Sequence, residues 1–144
     1  MSVVFVYGTL TDHPHVSRLL KEFSFGPPAR CWGFKRVDGR YPTVVPGERV
    51  AGRLLETPEI GRLDDYEGVD RELYHRYSIP LINRCPGTIP SVFDVDTAEI
   101  YIGDPLTLGV SQPADWSASG SFTQCVTEYI ETHNVHVNIK GSER

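Results

Sequence analysis

Glu67 is a carboxylate in an unfavourable place. It lies near the end of "TPEIGRLDDYEG", which reads as a short helix with Thr57 as N-cap, Pro58 at the first helical position, Glu59 in the first turn and Gly68 as the stop. At about 100° per residue, Glu67 projects only about 20° from Ile60 and about 40° from Leu63, whereas Glu59, Arg62 and Asp65 point elsewhere. The C-terminal end of a helix carries partial negative charge, and apolar surroundings disfavour an ionised carboxylate, so both effects raise the pKa of Glu67. A glutamate that titrates nearer neutrality is suited to general acid and base chemistry. The same pattern also fits an ion pair with Arg71 or Arg76, or a side chain that reaches solvent past the helix end.

A second stretch raises a different question. In "VVFVYGTL" an apolar run from Val3 to Tyr7 meets Gly8, Thr9 and Leu10 without a polar transition. A continuous apolar run is a strand covered on both faces, and a glycine directly after it brings bare backbone close to whatever lies beyond. Other chemistry-bearing groups are weaker candidates. His13 and His15 in "HPH" and His133 and His136 in "HNVH" match no zinc spacing and lack Cys or Asp ligands beside them. Cys31 lies in a strand-like run, Cys125 on the apolar face of a helix and Cys85 beside Pro86, so buried packing or an idle thiol describes them better than a nucleophile. No phosphate-binding glycine loop of the Walker type occurs. The many tyrosines read by default as β-core aromatics.

Positioning Glu67 and the Tyr7–Leu10 stretch requires a sheet and a few helices. The 144 residues fit a single domain spanning 1–144, with the last residues, about 140–144, as a frayed tail. Strand-like runs are "SVVFVY", "ARCWGFKRV", "ERVAGRLLE", "LYHRYSIPLI" and "TAEIYI", and "VHVNI" alternates as a further short one. They are short and rarely separated by helix-length segments. The expected class is therefore α+β, with one mainly antiparallel sheet curled around a cavity and helices outside. "DGRYPTVVPG" and "NRCPGTIPSVFDVD" carry too many Pro and Gly residues for central strands and read as connections. A first helix falls in "HPHVSRLLKEF", capped by Thr11 or Asp12 with Pro14 in its first turn. A last helix places Phe122, Cys125, Val126, Tyr129 and Ile130 on one face behind a Ser121–Gln124 capping box.

Composition excludes several partners. A formal net charge of −5 without any cluster of Lys and Arg argues against nucleic acid. No apolar run approaches the ~20 residues needed to cross a bilayer, and the N-terminus lacks the pattern of a secretory signal, so no membrane is expected. Three scattered cysteines make no disulfide framework, which fits a reducing, cytoplasmic setting. The oligomeric state is open, with a monomer as the default.

Taken together, "FVYGTL" and "LDDYEGVDRELYHR" resemble the γ-glutamylcyclotransferase-like family, including its AIG2-like and γ-glutamylamine cyclotransferase branches. "YPTVV" and the V-x-G-x-L pattern of "VAGRLL" fall between them in the family's order, and the resemblance runs from about residue 3 to about residue 101. It implies a small β-barrel-like sheet with flanking helices around a cavity, and conversion of a γ-glutamyl amide into 5-oxoproline and a free amine. The family's catalytic glutamate falls on Glu67, and its substrate-holding loop on Tyr7, Gly8, Thr9 and Leu10. Tyr41, Tyr74, Arg76 and Tyr101 occupy positions similar to family residues near the cavity or supporting it. Thr9 stands where many relatives have serine, and the segment from Thr57 to Leu63 is shorter than in several branches.

The implied reaction has simple requirements. The α-amino nitrogen of the γ-glutamyl group attacks its own γ-carbonyl, so no enzyme nucleophile, metal or other cofactor is needed. One carboxylate can take the proton from the amine and return it to the leaving amine. Backbone N–H groups around Gly8, Thr9 and Leu10, close to a helix start, suit the substrate's α-carboxylate. A Cβ at position 8 is expected to fill needed room or disfavour the required backbone angles. The partner is then a small γ-glutamyl compound. Two alternatives are a non-catalytic ligand-binding module of the same fold and an amidase that uses water to release glutamate.

Overall fold

The computed structural model describes residues 2–38, 42–69, 74–82, 96–103 and 121–139. Tyr41, Arg71, Cys85 and the tail beyond residue 139 lie outside the described residues. The strands are β1 (Ser2–Val6), β2 (Ser24–Val37), β3 (Thr43–Thr57), β4 (His75–Ile82), β5 (Thr97–Ile102) and β6 (His136–Ile139). The helices are α1 (His13–Leu19), α2 (Ile60–Glu67) and α3 (Phe122–Thr132), and a 3₁₀ turn at Thr9–Thr11 leads into α1.

Val3 to Val6 are apolar at every position because β1 has neighbours on both sides and is covered on both faces, with all four residues buried. The six strands close into a barrel in the order β1-β3-β2-β6-β4-β5. β1 pairs antiparallel with β3 (Val6 opposite Arg53) and parallel with β5 (Val4 opposite Glu99). β4 pairs antiparallel with β5 and parallel with β6, which itself pairs antiparallel with β2. The expected mainly antiparallel, curled sheet is thus a closed barrel, flanked among the described residues by three helices, and β6 completes the closure.

The hairpin of β2 and β3 is longer than its sequence suggests. Thr43–Gly47 belongs to β3 despite Pro46 and Gly47, and Ser24–Pro28 belongs to β2. Two register shifts make this possible, between Phe25 and Pro28 and between Trp32 and Phe34, where Gly33 takes a φ of 101°. Such bulges absorb prolines and sharpen the bend that lets a sheet close on itself.

Helix limits also differ from expectation. α1 is capped by Asp12, whose carboxylate accepts from the His15 N–H at 3.3 Å, but it stops at Leu19 instead of running to Phe23. The following N–H groups of Lys21 and Glu22 donate to the Glu59 carboxylate at 2.8 and 3.2 Å. These bonds, the Lys21 one foremost, hold the Glu59 pKa below its usual value. Thr57 is not the cap of α2. It ends β3, and its hydroxyl accepts from the Glu59 N–H at 3.0 Å while donating to the Glu22 carbonyl at 2.7 Å. α2 therefore begins at Ile60, and it ends as expected at Gly68, which adopts the left-handed conformation at φ 71°. In α3 the capping box is complete: Gln124 N–H donates to Ser121 Oγ at 3.2 Å and Ser121 N–H to Gln124 Oε1 at 2.9 Å. Cys125, Val126 and Tyr129 on that helix are buried.

At Gly52, the glycine of "VAGRLL", β1 leaves β3 no room for a side chain. A Cβ there would meet the Val6 carbonyl oxygen and the Phe5 ring. Gly61 on α2 faces open space. Gly52→Ala is expected to destabilise the fold by on the order of 1–3 kcal/mol through forced backbone movement, whereas Gly61→Ala should stabilise it by about 0.5–1 kcal/mol. Denaturant titration checks both, and equal midpoints for the two variants would contradict the close approach.

Candidate active site

β1 ends by delivering Tyr7, which is buried and donates its hydroxyl proton to the Tyr101 carbonyl on β5 at 2.6 Å. The Tyr7 carbonyl in turn accepts from Arg36 Nη1 at 2.8 Å, which ties the strand end to β2. Next along the chain, Gly8 packs against Pro42, since a Cβ would stand 3.3 Å from its Cγ. The Pro42 carbonyl accepts the hydroxyl proton of Tyr74 at 2.5 Å. Beside it, Thr43 closes a reciprocal pair with Gly103, donating to its carbonyl at 3.1 Å and accepting from its N–H at 3.0 Å. The Gly8 carbonyl is occupied by the N–H and hydroxyl of Thr11, at 3.1 and 2.7 Å, which shapes the 3₁₀ turn. Leu10 is buried beneath this turn.

Gly8 does not hold a positive φ, so the special backbone angle expected of it is absent. Its smallness matters instead through the contact with Pro42.

α2 supplies the acids. Glu67 is partly buried at its C-terminal end, and burial pushes its pKa up from 4.5 to about 7. Its carboxylate acts electrostatically on two tyrosines. The Tyr7 hydroxyl is raised well above its usual pKa, first by burial, then by Tyr74 and Glu67, with Thr43 and Arg36 opposing. Tyr101 is raised by burial, by its bond to Asp64 and that carboxylate's charge, and by Glu67, with Arg76 opposing. Glu67 thus belongs to one electrostatic cluster with the C-terminal ends of β1 and β5.

Among the described residues Glu67 has no ion-pair partner. Arg76, one of the two arginines considered for that role, faces Asp64 Oδ1 at 3.6 Å and Glu99 Oε1 at 3.8 Å. Asp64 also accepts the Tyr101 hydroxyl proton at 2.6 Å. Tyr7, Gly8, Tyr74, Arg76 and Tyr101 are therefore linked by a continuous set of contacts, and Glu67 bears on that set through its charge. Asp64, Glu99, Thr43 and Pro42 complete that set but carry no mark in the sequence. The available signal is the spacing of Asp64 and Glu67, which puts two carboxylates on neighbouring turns of one helix.

The discounted groups have ordinary places. His13 packs against the rings of Phe23 and Phe25. His15 bonds to the Tyr66 hydroxyl at 2.7 Å. His133 stacks on Tyr129, and His136 on Trp32. Among the described residues no three His, Cys, Asp or Glu side chains converge as metal ligands, and no helix is long and apolar enough to cross a membrane. Cys31 and Cys125 are buried, and burial pushes the Cys31 pKa upward.

Known structures share this fold. An uncharacterized protein from Homo sapiens aligns with a TM-score of 0.58 at 19% identity, over 72% of this chain and 66% of its own. A structure titled gamma-glutamyl cyclotransferase aligns with a TM-score of 0.57 at 18% identity, again over 72% of this chain and 66% of its own. This chain thus spans slightly less than two thirds of either relative. A protein from Arabidopsis thaliana, solved in solution, aligns with a TM-score of 0.55 at 25% identity, over 92% of this chain and 87% of its own. No curated protein matches the sequence. The family described as "Gamma-glutamyl cyclotransferase, AIG2-like" matches residues 4–122. With most of its length matched and the barrel shared, the chain belongs to the AIG2-like gamma-glutamyl cyclotransferase family.

Proposed function

We propose that this chain converts a small γ-glutamyl amide into 5-oxoproline and a free amine, with Glu67 as the general acid and base. The observation that carries this reading is a partly buried carboxylate, unpaired among the described residues, whose pKa of about 7 lies beside the strand end that opens into Gly8, Thr9 and Leu10. The first N–H groups of a 3₁₀ or α-helical turn lack acceptors within it. Those of Gly8, Thr9 and Leu10 hold the substrate's α-carboxylate and fold the γ-glutamyl chain so that its two ends meet.

The ionised Glu67 takes a proton from the substrate's α-ammonium. The freed nitrogen attacks the γ-carbonyl carbon and forms the new C–N bond of a five-membered lactam. Glu67 returns the proton to the departing nitrogen as the original amide bond breaks, and the re-ionised carboxylate passes the second proton of the attacking nitrogen to the released amine, which leaves as an ammonium. A carboxylic acid with a pKa near neutrality serves both transfers, because neither its charged nor its neutral form is strongly disfavoured.

Screening γ-glutamyl compounds with direct detection of 5-oxoproline tests the assignment. Release of glutamate instead identifies an amidase, and saturable binding without turnover identifies a ligand-binding module. Glu67→Gln is expected to lower turnover by on the order of 10²–10⁴ while retaining the fold. In the parent, activity should fall as pH drops through about 7, since the proton-accepting form is lost.

Stability should respond in the opposite sense. A carboxyl whose pKa rises on folding binds its proton more tightly in the folded state, so its contribution worsens as pH rises from 4.5 to about 7 and is constant above that. Glu67→Gln should therefore melt higher than the parent at pH 8 and close to it at pH 4. An equal shift at both pH values would mean that Glu67 is not the titrating group.

The turn gives a separate test. Gly8→Ala should weaken binding of a small carboxylate such as 5-oxoproline, since Pro42 must yield to the new methyl, while Thr9→Ser should be mild. Calorimetric titration compares them, and loss of binding in Thr9→Ala with none in Gly8→Ala would make the threonine hydroxyl the anchor. Exhaustive chelation should leave turnover unchanged, and activity restored by added zinc would overturn the metal-free scheme.

A further inference from the structure

A hydroxyl carries one proton, and a tyrosine beside an ionised carboxylate ordinarily gives that proton to it. Such a bond stabilises the charged form and lowers the carboxyl pKa. The two tyrosines that feel the Glu67 charge have committed their protons elsewhere. Tyr7 donates to the Tyr101 carbonyl at 2.6 Å, and Tyr101 donates to Asp64 Oδ1 at 2.6 Å. The first acceptor is backbone. The second is a side chain that lies one turn before Glu67 on the same helix and is steadied from β4 by Arg76, itself facing Glu99 on β5.

We propose that Asp64 is a positioning residue for Glu67: by taking the Tyr101 proton, with Arg76 as its brace, it denies Glu67 a hydrogen-bond donor. This rests on the reading of Glu67 as the acid and base. The charged and titratable groups that bear on the device, among the described residues, are Tyr7 from β1, Arg76 from β4, Tyr101 and Glu99 from β5, and Asp64 on α2. Tyr74 and Arg36 act on Tyr7. Burial raises the Glu67 pKa, and the hydroxyl protons of Tyr7 and Tyr101, held by other acceptors, do not offset it.

A carboxylate at position 64 also repels the Glu67 charge, so its removal lowers the Glu67 pKa for that reason too. The two effects separate cleanly. Asp64→Asn removes the charge but keeps an oxygen that accepts the Tyr101 proton, whereas Asp64→Ala removes both and frees the hydroxyl to turn to Glu67. Titrating Glu67 directly by carbon NMR of labelled glutamate side chains should show a drop in Asp64→Ala larger than in Asp64→Asn by about one pH unit. Adding Tyr101→Phe to Asp64→Ala should remove that difference, because no proton is then available to donate. The acidic limb of the pH–rate profile should move with the same order among the variants.

Equal titration of Glu67 in Asp64→Ala and Asp64→Asn overturns the proposal, as does a difference that survives Tyr101→Phe. The NMR measurement does not depend on turnover. A displaced Glu67 titration in a protein that forms no 5-oxoproline would leave the positioning role standing and remove the catalytic one.

Discussion

The parallel pairing of β1 with β5 is the constraint on which the site depends. It closes the barrel and brings the C-terminal ends of both strands to the same end, so that Tyr7 arrives where its hydroxyl reaches the Tyr101 carbonyl. β3 runs the other way beside β1 and finishes at Thr57, opposite Ser2 at the far end. α2 then has to carry the chain back. Eight helical residues cover about 12 Å, and β1 is five residues long, about 17 Å. The C-terminal half of α2 is thereby returned toward the Tyr7 end, where Asp64 meets Tyr101 and the Glu67 charge acts on both tyrosines. Three separate stretches of sequence converge because strand direction and helix length agree.

That convergence opposes stability at one point. An ionised Glu67 would be better hydrated in the unfolded chain, and burial raises its pKa for that reason. The fold tolerates the cost because its neighbours are well satisfied. Tyr7, Tyr74 and Tyr101 each have an acceptor, Thr43 pairs with Gly103, and Asp64 has both a hydroxyl donor and an arginine. The satisfaction is not complete, since Glu99 Oε2 is also buried without a hydrogen-bond partner among the described residues.

Much of this was legible in the sequence where a local pattern determines a local structure. The uniform apolarity of Val3–Val6 implies an internal strand, and the Ser121–Gln124 box with its 3.6-residue spacing implies α3. Glu67 stands out because its angle from Ile60 and Leu63 follows from helix geometry alone. The rest depends on distant partners. Pro46 and Gly47 argue against a strand unless a bulge at Gly33 on the facing strand accommodates them. Thr57 is a residue type suited to a helix cap, yet its hydroxyl donates to the Glu22 carbonyl while accepting from the Glu59 N–H, which makes it a connector. The parallel pairs cannot be read from short strands, since pairing direction is a property of the closed barrel.

Asp64 shows the same limit at the site itself. In sequence it is one of two adjacent aspartates in an acidic helix, with nothing to distinguish it from Asp65. In the fold Asp65 remains exposed, while Asp64 takes a proton donor from β5 and a cation from β4. The difference is one helical step of about 100°. A carboxylate's surroundings in such a cluster are set by which donors reach it: Asp64 receives a hydroxyl and an arginine, whereas Glu67, one turn on, receives neither among the described residues, and burial raises its pKa to about 7. Two acids on one short helix thus differ in their neighbours: one is held by a hydroxyl and an arginine, and the other is buried without a donor among the described residues.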